Sequence, residues 1–247
     1  MATLRDRFFI EGVHATGDSV TFAPDDARKI VTVLRGKSGE RVHVVDSGGF
    51  AFAATLTVDG HAVAASLGER IERASRESAA RVTIAQAIPK GQKMDLIVEK
   101  ATELGAFAIV PLRSQRVAGE TTGEHKAERW QRIAKTAAQQ CGRTNVPVVA
   151  PVATWDDLLA TFPAYDRVYL PWELTDPRPL RDTFEADAPA IASALIVIGP
   201  EGGFTSAEVE RAQAAGARAI SLGTRILRTE TVALVVLAAF FYARGEL

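Results

Sequence analysis

The sequence ALIVIGPEGGF at Ala194–Phe204 joins a short apolar run to three closely spaced glycines. Ala194–Ile198 is rich in β-branched residues, which predicts a buried strand. Gly199, Gly202 and Gly203 permit a tight turn and the close approach of a ligand or another backbone segment. The stretch therefore predicts a strand that ends in a glycine loop.

A helix is predicted directly after this loop. Thr205 and Glu208 have the spacing of a capping box, so the helix is expected to begin at Thr205. Strand, glycine loop and helix in this order are typical of ligand sites at the carboxyl ends of parallel strands. A plain structural turn is the alternative interpretation.

The loop lacks the features of a phosphate site. It contains no GxGxxG pattern and no Lys followed by Ser or Thr. Glu201 also places a negative charge inside the loop, where an anion would be repelled. A neutral or cationic ligand therefore fits better, and an exposed turn residue is the alternative interpretation of Glu201.

A second glycine loop lies nearer the C-terminus. Ala219–Leu222 is another short apolar run, followed by Gly223 and then by the almost wholly apolar Val232–Ala243. That last run is too short to span a membrane and predicts a buried core helix or a subunit interface. Arg228 is unusual, because it lies at or just before the start of this helix, where the dipole disfavours a cation. Two glycine loops that follow two strands can line one pocket.

Composition limits the possible classes of protein. The chain has 247 residues, of which 47% are hydrophobic, enough for one large domain or two smaller ones. A net charge of -1 argues against a globally basic nucleic-acid binder, so any RNA contact must come from local patches. The single cysteine, Cys141, excludes an internal disulfide framework and a multi-cysteine zinc site. With no apolar signal region and no 18-residue apolar run, we expect a soluble cytoplasmic protein.

Residues 1 to about 72 are predicted to form a small β-barrel. Short strands separated by glycine turns are typical of such barrels, and Asp59-Gly60 has the chemistry of a hairpin turn. One helix is predicted to start near Pro24 and to end before Gly36. The predicted strands are Arg7–Ile10, Ser19–Phe22, Arg41–Val45, Phe50–Val58 and Ala62–Leu67.

A basic segment, residues 28–41, lies within this part of the chain. Its cations are Arg28, Lys29, Arg35, Lys37 and Arg41. The segment contains a single anion, Glu40. By charge alone, a solvent-exposed surface is the ordinary interpretation of this cluster. Arg5 and Arg7 lie beside Phe8 and Phe9, which would add charge and stacking to a nucleic-acid surface. Alternatively, the two Phe residues anchor the first strand in the core.

The rest of the chain predicts an α/β domain. The polar residues 73–80 read as a linker, and strands and helices alternate from Arg81 onward, which favours a mainly parallel sheet. The elements predicted there include strands Val82–Ile88, Phe107–Leu112 and Arg167–Pro171, and helices Met94–Leu104, Glu124–Cys141 and Trp155–Phe162. On the long helix, helical spacing predicts a buried face at Trp130, Ile133, Ala137 and Cys141.

The sequence resembles a known family. GPEGGFTSAE at Gly199–Glu208 and LGTRILRTET at Leu222–Thr231 resemble the two C-terminal motifs of the RsmE family, the 16S ribosomal RNA uracil-N3 methyltransferases of the SPOUT superfamily. Three further segments are similar to that family: VLRGKSGERVHVVD at Val33–Asp46, KGQKMDLIVEKATELG at Lys90–Gly105 and QQCGRTNVP at Gln139–Pro147. The resemblance covers nearly the whole chain; it departs at Val232, where Ala is usual, and at Gln139, where Glu is common.

The resemblance implies a fold, a reaction and partners. It implies an α/β SPOUT-type methyltransferase domain with a C-terminal trefoil knot at 73–247, preceded by a PUA-like, RNA-binding β-barrel at 1–72. It implies S-adenosylmethionine as the cofactor, no metal, and methylation of N3 of a uridine in 16S ribosomal RNA of the small ribosomal subunit. It also implies a homodimer with the donor pocket near the subunit interface, and no membrane.

The resemblance further implies site residues. Those expected to bind the cofactor are Leu170, Pro171, Ile198, Gly199, Gly202, Gly203, Leu222, Gly223, Thr224, Ile226 and Leu227. Those expected to bind RNA are Arg5, Arg7, Arg28, Lys29, Arg35, Lys37 and Arg143. Arg228 is the first catalytic candidate, because it can stabilise charge on the uracil carbonyl oxygens as N3 loses its proton. Glu201 is the second, as proton acceptor or sulfonium partner.

Two other functions compete with this one. An RNA-binding assembly factor without catalysis would be expected to have degenerate glycine loops, whereas both loops are intact here. A nucleotide-binding α/β enzyme such as a phosphohydrolase would need a cationic phosphate cradle. Glu201, with no neighbouring Lys in the sequence, argues against that cradle.

Overall fold

The computed structural model describes residues 3–71, 77–116, 124–174, 180–187 and 190–247, without the side chains of residues 3–6, 124 and 125. The chain forms two compact units. The first comprises Met1–Glu77 with Ala138–Val146, and the second comprises Ser78–Ala137 with Pro147–Leu247. Half of the predicted linker, residues 73–76, lies outside the described residues. The last residues of the long predicted helix, from Ala138 onward, belong to the first unit. Helical periodicity does not predict this division.

The first unit is built on a five-stranded sheet in the order β1-β3-β4-β5-β2. Its strands are β1 Thr3–Phe9, β2 Ser19–Thr21, β3 Arg41–Val45, β4 Ala51–Asp59 and β5 Ala62–Ile71. β1 pairs parallel with β3, and the other pairs are antiparallel. β4 and β5 form the predicted hairpin, in which Gly60 has a positive φ of 59°. A glycine suits that turn because it has no Cβ to clash.

The helical part of the first unit is shorter and less regular than predicted. Helix α1, Pro24–Arg28, continues into a π-helical turn, Lys29–Val33. Phe8 of β1 is fully buried and packs edge-on against Phe22, with ring centroids 5.5 Å apart. Phe8 is therefore a core residue, in agreement with the structural interpretation of the first strand.

The second unit contains a six-stranded parallel sheet in the order β11-β9-β10-β6-β7-β8, as the alternation of strands and helices predicted. Its strands are β6 Arg81–Ala87, β7 Ala108–Leu112, β8 Val148–Val149, β9 Arg167–Pro171, β10 Ser193–Ile198 and β11 Arg218–Ile220. β8 is not predicted from the sequence, because a strand of two residues shows no periodicity.

Six further α-helices lie in the described chain, and a 3-10 helix, Phe162–Ala164, follows the third of them. They are α2 Lys93–Glu103, α3 Glu124–Cys141, α4 Trp155–Thr161, α5 Leu180–Asp187, α6 Ser206–Ala214 and α7 Thr229–Ala243. Thr205 caps α6 in a capping box with Glu208, which confirms the predicted start. In the parts of the chain described here, no helix is long and apolar enough to cross a membrane.

The predicted buried face of α3 is partly correct. Trp130 and Ala137 are buried, whereas Ile133 and Cys141 are half-buried. Ala134 is fully buried between them. The buried face of α3 is therefore centred on alanine residues, such as Ala134 and Ala137, and only partly on the predicted residues.

The order of the parallel sheet brings three strand ends together. β11, β9 and β10 are neighbours, and all three run in the same direction. The loops that follow Pro171, Ile198 and Ile220 therefore emerge at one edge of the sheet. Ligand sites of α/β proteins are commonly found at this edge.

Candidate functional site

A cleft of about 510 Å³ lies where the chain leaves β9 and β11. It is lined by residues 171–174, residues 221–227 and Val232 of α7. The volume falls in the range of ordinary small-molecule sites. The cleft is thus the candidate ligand site of the second unit.

The cleft brings together six of the residues predicted to bind the cofactor. They are Pro171, Leu222, Gly223, Thr224, Ile226 and Leu227. Leu170 and Ile198 are instead buried within their strands, at 0% and 1% exposure. Gly199, Gly202 and Gly203 lie in the loop after β10 and are not among the residues that line the cleft.

Several lining residues are missing from the sequence-based set. Trp172, Glu173 and Leu174 directly follow β9, and Arg225 lies inside the second glycine loop. The Trp172 amide donates to Ile220 O at 3.0 Å, which extends the pairing of β9 with β11. The signal for these residues is their place immediately after a predicted parallel strand.

The first glycine loop, residues 199–203, folds tightly on itself. The Gly203 amide donates to Pro200 O at 2.9 Å, and Gly203 has a φ of 65°. A methyl group added to Gly199 would lie 3.4 Å from the Gly203 backbone, and one added to Gly203 would lie 3.0 Å from Oε1 of Glu173. The absence of side chains therefore lets this loop approach a wall of the cleft.

A buried polar network joins the first glycine loop to α7. The Thr229 hydroxyl donates to Gly199 O at 2.6 Å, and Gln86 Nε2 donates to Thr229 Oγ1 at 2.9 Å. Gln86 also donates to Ala87 O at 2.9 Å. Thr229 and Gln86 are 4% and 0% exposed. Gln86 is absent from the predicted site residues, although a polar residue near the end of a mostly apolar strand is the available signal.

Folding brings two lysine residues to Glu201. Its carboxylate accepts hydrogen bonds from the Lys90 amide at 3.1 Å and from Lys93 Nζ at 2.8 Å. Lys93 Nζ also lies 3.6 Å from Oε2 of Glu230. Glu201 therefore has no neighbouring Lys in the sequence, as expected, but Lys90 and Lys93 contact it in the folded protein. Because Lys93 is shared by two carboxylates, its charge is offset and this arrangement does not form a phosphate cradle.

These contacts bear on the acid–base role of Glu201. Partial burial would raise the pKa of the Glu201 carboxyl, but the hydrogen bonds from Lys93 and from the Lys90 amide outweigh burial and leave the pKa below its usual value. The hydrogen bond with Glu201 in turn raises the pKa of Lys93. A carboxylate with a lowered pKa is a weak base. The geometry therefore favours Glu201 as an ion-pair partner over Glu201 as a proton acceptor.

Arg228 is the N-cap residue of α7, and its side chain is exposed. Its carbonyl oxygen accepts from the amides of Thr231 at 2.8 Å and Val232 at 3.1 Å, which fixes its backbone. Within the described part of the chain, its guanidinium has no hydrogen-bond or ion-pair partner. Arg228 directly follows Leu227 of the cleft wall, so a well-anchored backbone presents this cation beside the cleft.

The cations of the basic segment in the first unit are mainly solvent-exposed. Its exposed cations are Arg28, Arg35, Lys37 and Arg41. Lys29 differs, since its Nζ donates to Gln139 Oε1 at 3.1 Å and lies 5.7 Å from the Phe8 ring centroid. Arg7 is half-buried, and the side chain of Arg5 lies outside the described residues.

Arg143 is engaged inside the first unit. It is 5% exposed, and its Nε donates to Oε2 of Glu77 at 3.1 Å. The Thr144 amide donates to Oε1 of the same carboxylate at 2.9 Å. Burial would raise the pKa of the Glu77 carboxyl, but Arg143 and the neighbouring amides outweigh burial and lower it. In this arrangement the guanidinium is directed at Glu77, a residue that the sequence presents as part of a linker.

The cleft combines apolar surface with charges of both signs. Leu222, Ile226 and Leu227 provide the apolar wall, while Glu173 and Arg225 provide one anion and one cation. This set suits a ligand that carries a flat ring and both kinds of charge. Among the described residues there is no group of three or more His, Cys, Asp or Glu side chains placed to hold a metal ion.

Comparison with known proteins identifies the class. The family model of the RNA methyltransferase domain matches residues 76–241, which include the whole parallel sheet and both glycine loops. The chain therefore has the fold of an RNA methyltransferase.

Individual relatives narrow this class to a family. Ribosomal RNA small subunit methyltransferase E of Bacillus subtilis (strain 168) is 34% identical, with 96% of each chain covered. The structure of a ribosomal RNA small subunit methyltransferase E from Neisseria gonorrhoeae bound to S-adenosyl methionine matches with a TM-score of 0.88, 31% identity, and 97% and 98% of the two chains covered. A Legionella pneumophila protein in complex with the bound cofactor SAM matches with a TM-score of 0.89, 27% identity and the same coverage. The chain belongs to the ribosomal RNA small subunit methyltransferase E family, which confirms the resemblance found in its motifs.

Proposed function

We propose that this protein transfers a methyl group from S-adenosylmethionine to N3 of a uridine in 16S ribosomal RNA. The observation that carries the proposal is the cleft between the ends of β9 and β11, with Arg228 exposed beside it. The names of the relatives support the donor and the class of RNA, since one of them is a ribosomal RNA small subunit methyltransferase E bound to S-adenosyl methionine.

The cleft suits this donor. Leu222, Ile226 and Leu227 offer apolar contacts for an adenine ring, and the glycine-rich backbone offers hydrogen-bonding groups for the polar ends. Once bound, S-adenosylmethionine supplies a methyl group that its sulfonium already activates, so the reaction requires neither a metal nor a covalent enzyme intermediate. The protein has to align the two reactants, exclude water and assist removal of the N3 proton.

Arg228 has the central role toward the acceptor. N3 lies on the Watson–Crick edge of uracil, so the base must be unpaired or flipped out before it reacts. The planar fork of Arg228 holds a uracil carbonyl oxygen and stabilises the negative charge that develops as N3 loses its proton. Glu201 is the second predicted catalytic residue, and its lowered pKa opposes a role as the base.

The RNA is held mainly by the first unit. We assign residues 1–72 as a PUA-like RNA-binding barrel and residues 73–247 as a SPOUT methyltransferase domain with a C-terminal trefoil knot. Exposed cations of the basic segment track phosphates, which makes binding dependent on salt. Arg143 is the further cation assigned to RNA binding, and because it is 5% exposed and held by Glu77, its contribution is smaller than that of the exposed cations. The natural substrate is 16S ribosomal RNA within the small ribosomal subunit.

The active form is a homodimer in which a second copy covers the cleft. Ile226 and Leu174 line the cleft and are 89% and 71% exposed, and Tyr242 near the end of α7 is 73% exposed. Several apolar residues of α7 are only half-buried in the single chain. Apolar surface of this kind beside a ligand site is typical of a protein interface.

Calorimetry followed by a methylation assay tests the proposal. S-adenosylmethionine should bind equally well with and without a chelator, and small subunits from cells that lack the gene should gain one methyl group on N3 of a uridine. Mass spectrometry of nuclease digests locates that group. Donor binding that requires a metal would count against the assignment. RNA binding without methylation of either naked RNA or small subunits would favour the assembly factor.

A further inference from the structure

We infer that Glu173 makes the cleft prefer the positively charged methyl donor over its neutral, demethylated product. The inference rests on the proposed function and concerns the specificity of the same site. It assigns a role to a residue that the sequence motifs do not single out.

The position of Glu173 places its carboxylate between the two glycine loops. Glu173 lines the cleft together with residues 221–227 of the second loop. Its Oε1 would lie only 3.0 Å from a methyl group added to Gly203 of the first loop. The hydrogen bond from the Trp172 amide to Ile220 O, 3.0 Å long, holds the preceding residue in place. A ligand that contacts both loops therefore meets this carboxylate.

The charge of Glu173 is available to such a ligand. Across the residues that the structure describes, its carboxylate has neither a hydrogen bond nor an ion pair. The other nearby carboxylates differ, since Glu201 and Glu230 share Lys93. Arg225, the cation of the cleft wall, can match the carboxylate of the methionine part of the donor. Among the charges of the described residues, the Glu173 carboxylate is thus left for a positive group of the ligand.

The reaction removes the positive group that Glu173 would recognise. The bond between the methyl carbon and sulfur breaks, its electron pair stays on sulfur, and a bond forms between that carbon and the deprotonated N3. The sulfonium becomes a neutral thioether, while the ammonium and carboxylate of the methionine part are unchanged. A carboxylate near the sulfur therefore favours the donor and weakens the hold on the product.

Calorimetry on the full-length Glu173→Gln variant tests the inference. Affinity for S-adenosylmethionine should fall by about fivefold or more, the effect of losing one attraction between unit charges about 4 Å apart in water. Affinity for sinefungin, in which a protonated amine replaces the sulfonium centre, should fall similarly. Affinity for S-adenosylhomocysteine should stay within about twofold of wild type, because its sulfur is neutral. Glu210→Gln, an exposed position on α6, is the matched control and should change none of the three.

Two results would overturn the inference. Equal losses for the donor and for S-adenosylhomocysteine would mean that Glu173 holds the ammonium or shapes the cleft. No loss for any ligand would mean that the carboxylate is a bystander. Wild-type protein that binds neither S-adenosylmethionine nor S-adenosylhomocysteine, even with RNA present, would instead contradict the proposed function.

Discussion

The hydroxyl of Thr229 donates a 2.6 Å hydrogen bond to the carbonyl oxygen of Gly199. This bond ties the first residue of α7 to the first residue of the first glycine loop. Arg228 directly precedes Thr229, so the same bond positions the exposed cation relative to the loop. Gln86 donates to Thr229 from the end of β6, and all of these groups belong to the second unit.

Replacing Thr229 by Val should lower both stability and donor affinity. Val keeps the shape of the side chain but leaves the half-buried Gly199 carbonyl and the buried Gln86 amide each short of a partner, which should reduce the free energy of unfolding by about 1–3 kcal/mol. Denaturant unfolding and calorimetry measure the two effects. Thr231→Val is the matched control, because the Thr231 side chain makes no hydrogen bond to a described residue. Equal stabilities of the two variants would contradict the assigned role of the network.

Replacing Arg228 by Lys should slow methyl transfer without destabilising the protein. Lys keeps the charge but loses the planar fork that fixes a carbonyl oxygen, and loss of one such positioned donor costs about a hundredfold in rate. Single-turnover methylation at saturating RNA and thermal melting on one preparation give the answer. Arg132→Lys, at an exposed position on α3, should leave both measurements unchanged. A stable Arg228→Lys protein with near-normal turnover would falsify the catalytic role.

Replacing Glu77 by Gln should remove a pH-dependent part of the stability. The substitution removes the carboxylate that accepts hydrogen bonds from the buried Arg143, which should lower the free energy of unfolding by about 3 kcal/mol at neutral pH. The folded-state pKa of Glu77 lies below its ordinary value of 4.5, so the stabilisation is complete above about pH 4.5 and is lost as the pH falls through the folded-state pKa.

Denaturant unfolding across this pH range tests that prediction. The difference between wild type and Glu77→Gln should be largest at neutral pH and should shrink as the pH falls below about 4.5. Glu69→Gln, exposed on β5 in the same unit, serves as the control. A constant difference at every pH would show that the Glu77 carboxylate does not stabilise the fold through its charge.

Replacing Arg35 and Lys37 together by Ala should weaken RNA binding and flatten its dependence on salt. Both side chains are exposed, and removal of two phosphate contacts should reduce the slope of log affinity against log salt by about 1–2. Arg35 has a φ of 55°, a conformation that is strained for any residue with a Cβ. Because Ala also has a Cβ, the substitution removes the charge and leaves the backbone strain unchanged. Titrations at several salt concentrations measure the slope, with donor affinity as the control. An unchanged slope would identify the basic segment as a solvated face.

Local patterns predicted much of the fold. The strands at Arg41–Val45 and Arg167–Pro171 and the helix at Glu124–Cys141 have the bounds that hydrophobic periodicity indicated. Thr205 was recognisable as a cap because its partner Glu208 is three residues away. Periodicity, capping and glycine turns depend on residues within one or two turns of chain, so they are legible in one sequence. The long motifs likewise were enough to indicate the family.

The contacts that complete the site were decided only by the tertiary structure. Lys93 reaches Glu201, Glu173 lies against Gly203, and Thr229 joins Gly199 to Gln86. Each pair comes from different elements, and a single sequence records no information about which distant side chains will meet. The order of the strands brings the ends of β9, β10 and β11 to one edge of the sheet, where the loops that follow them emerge side by side. Burial and strand pairing along the whole chain select that order. Residue type and spacing therefore could not predict which distant side chains would become partners in the site.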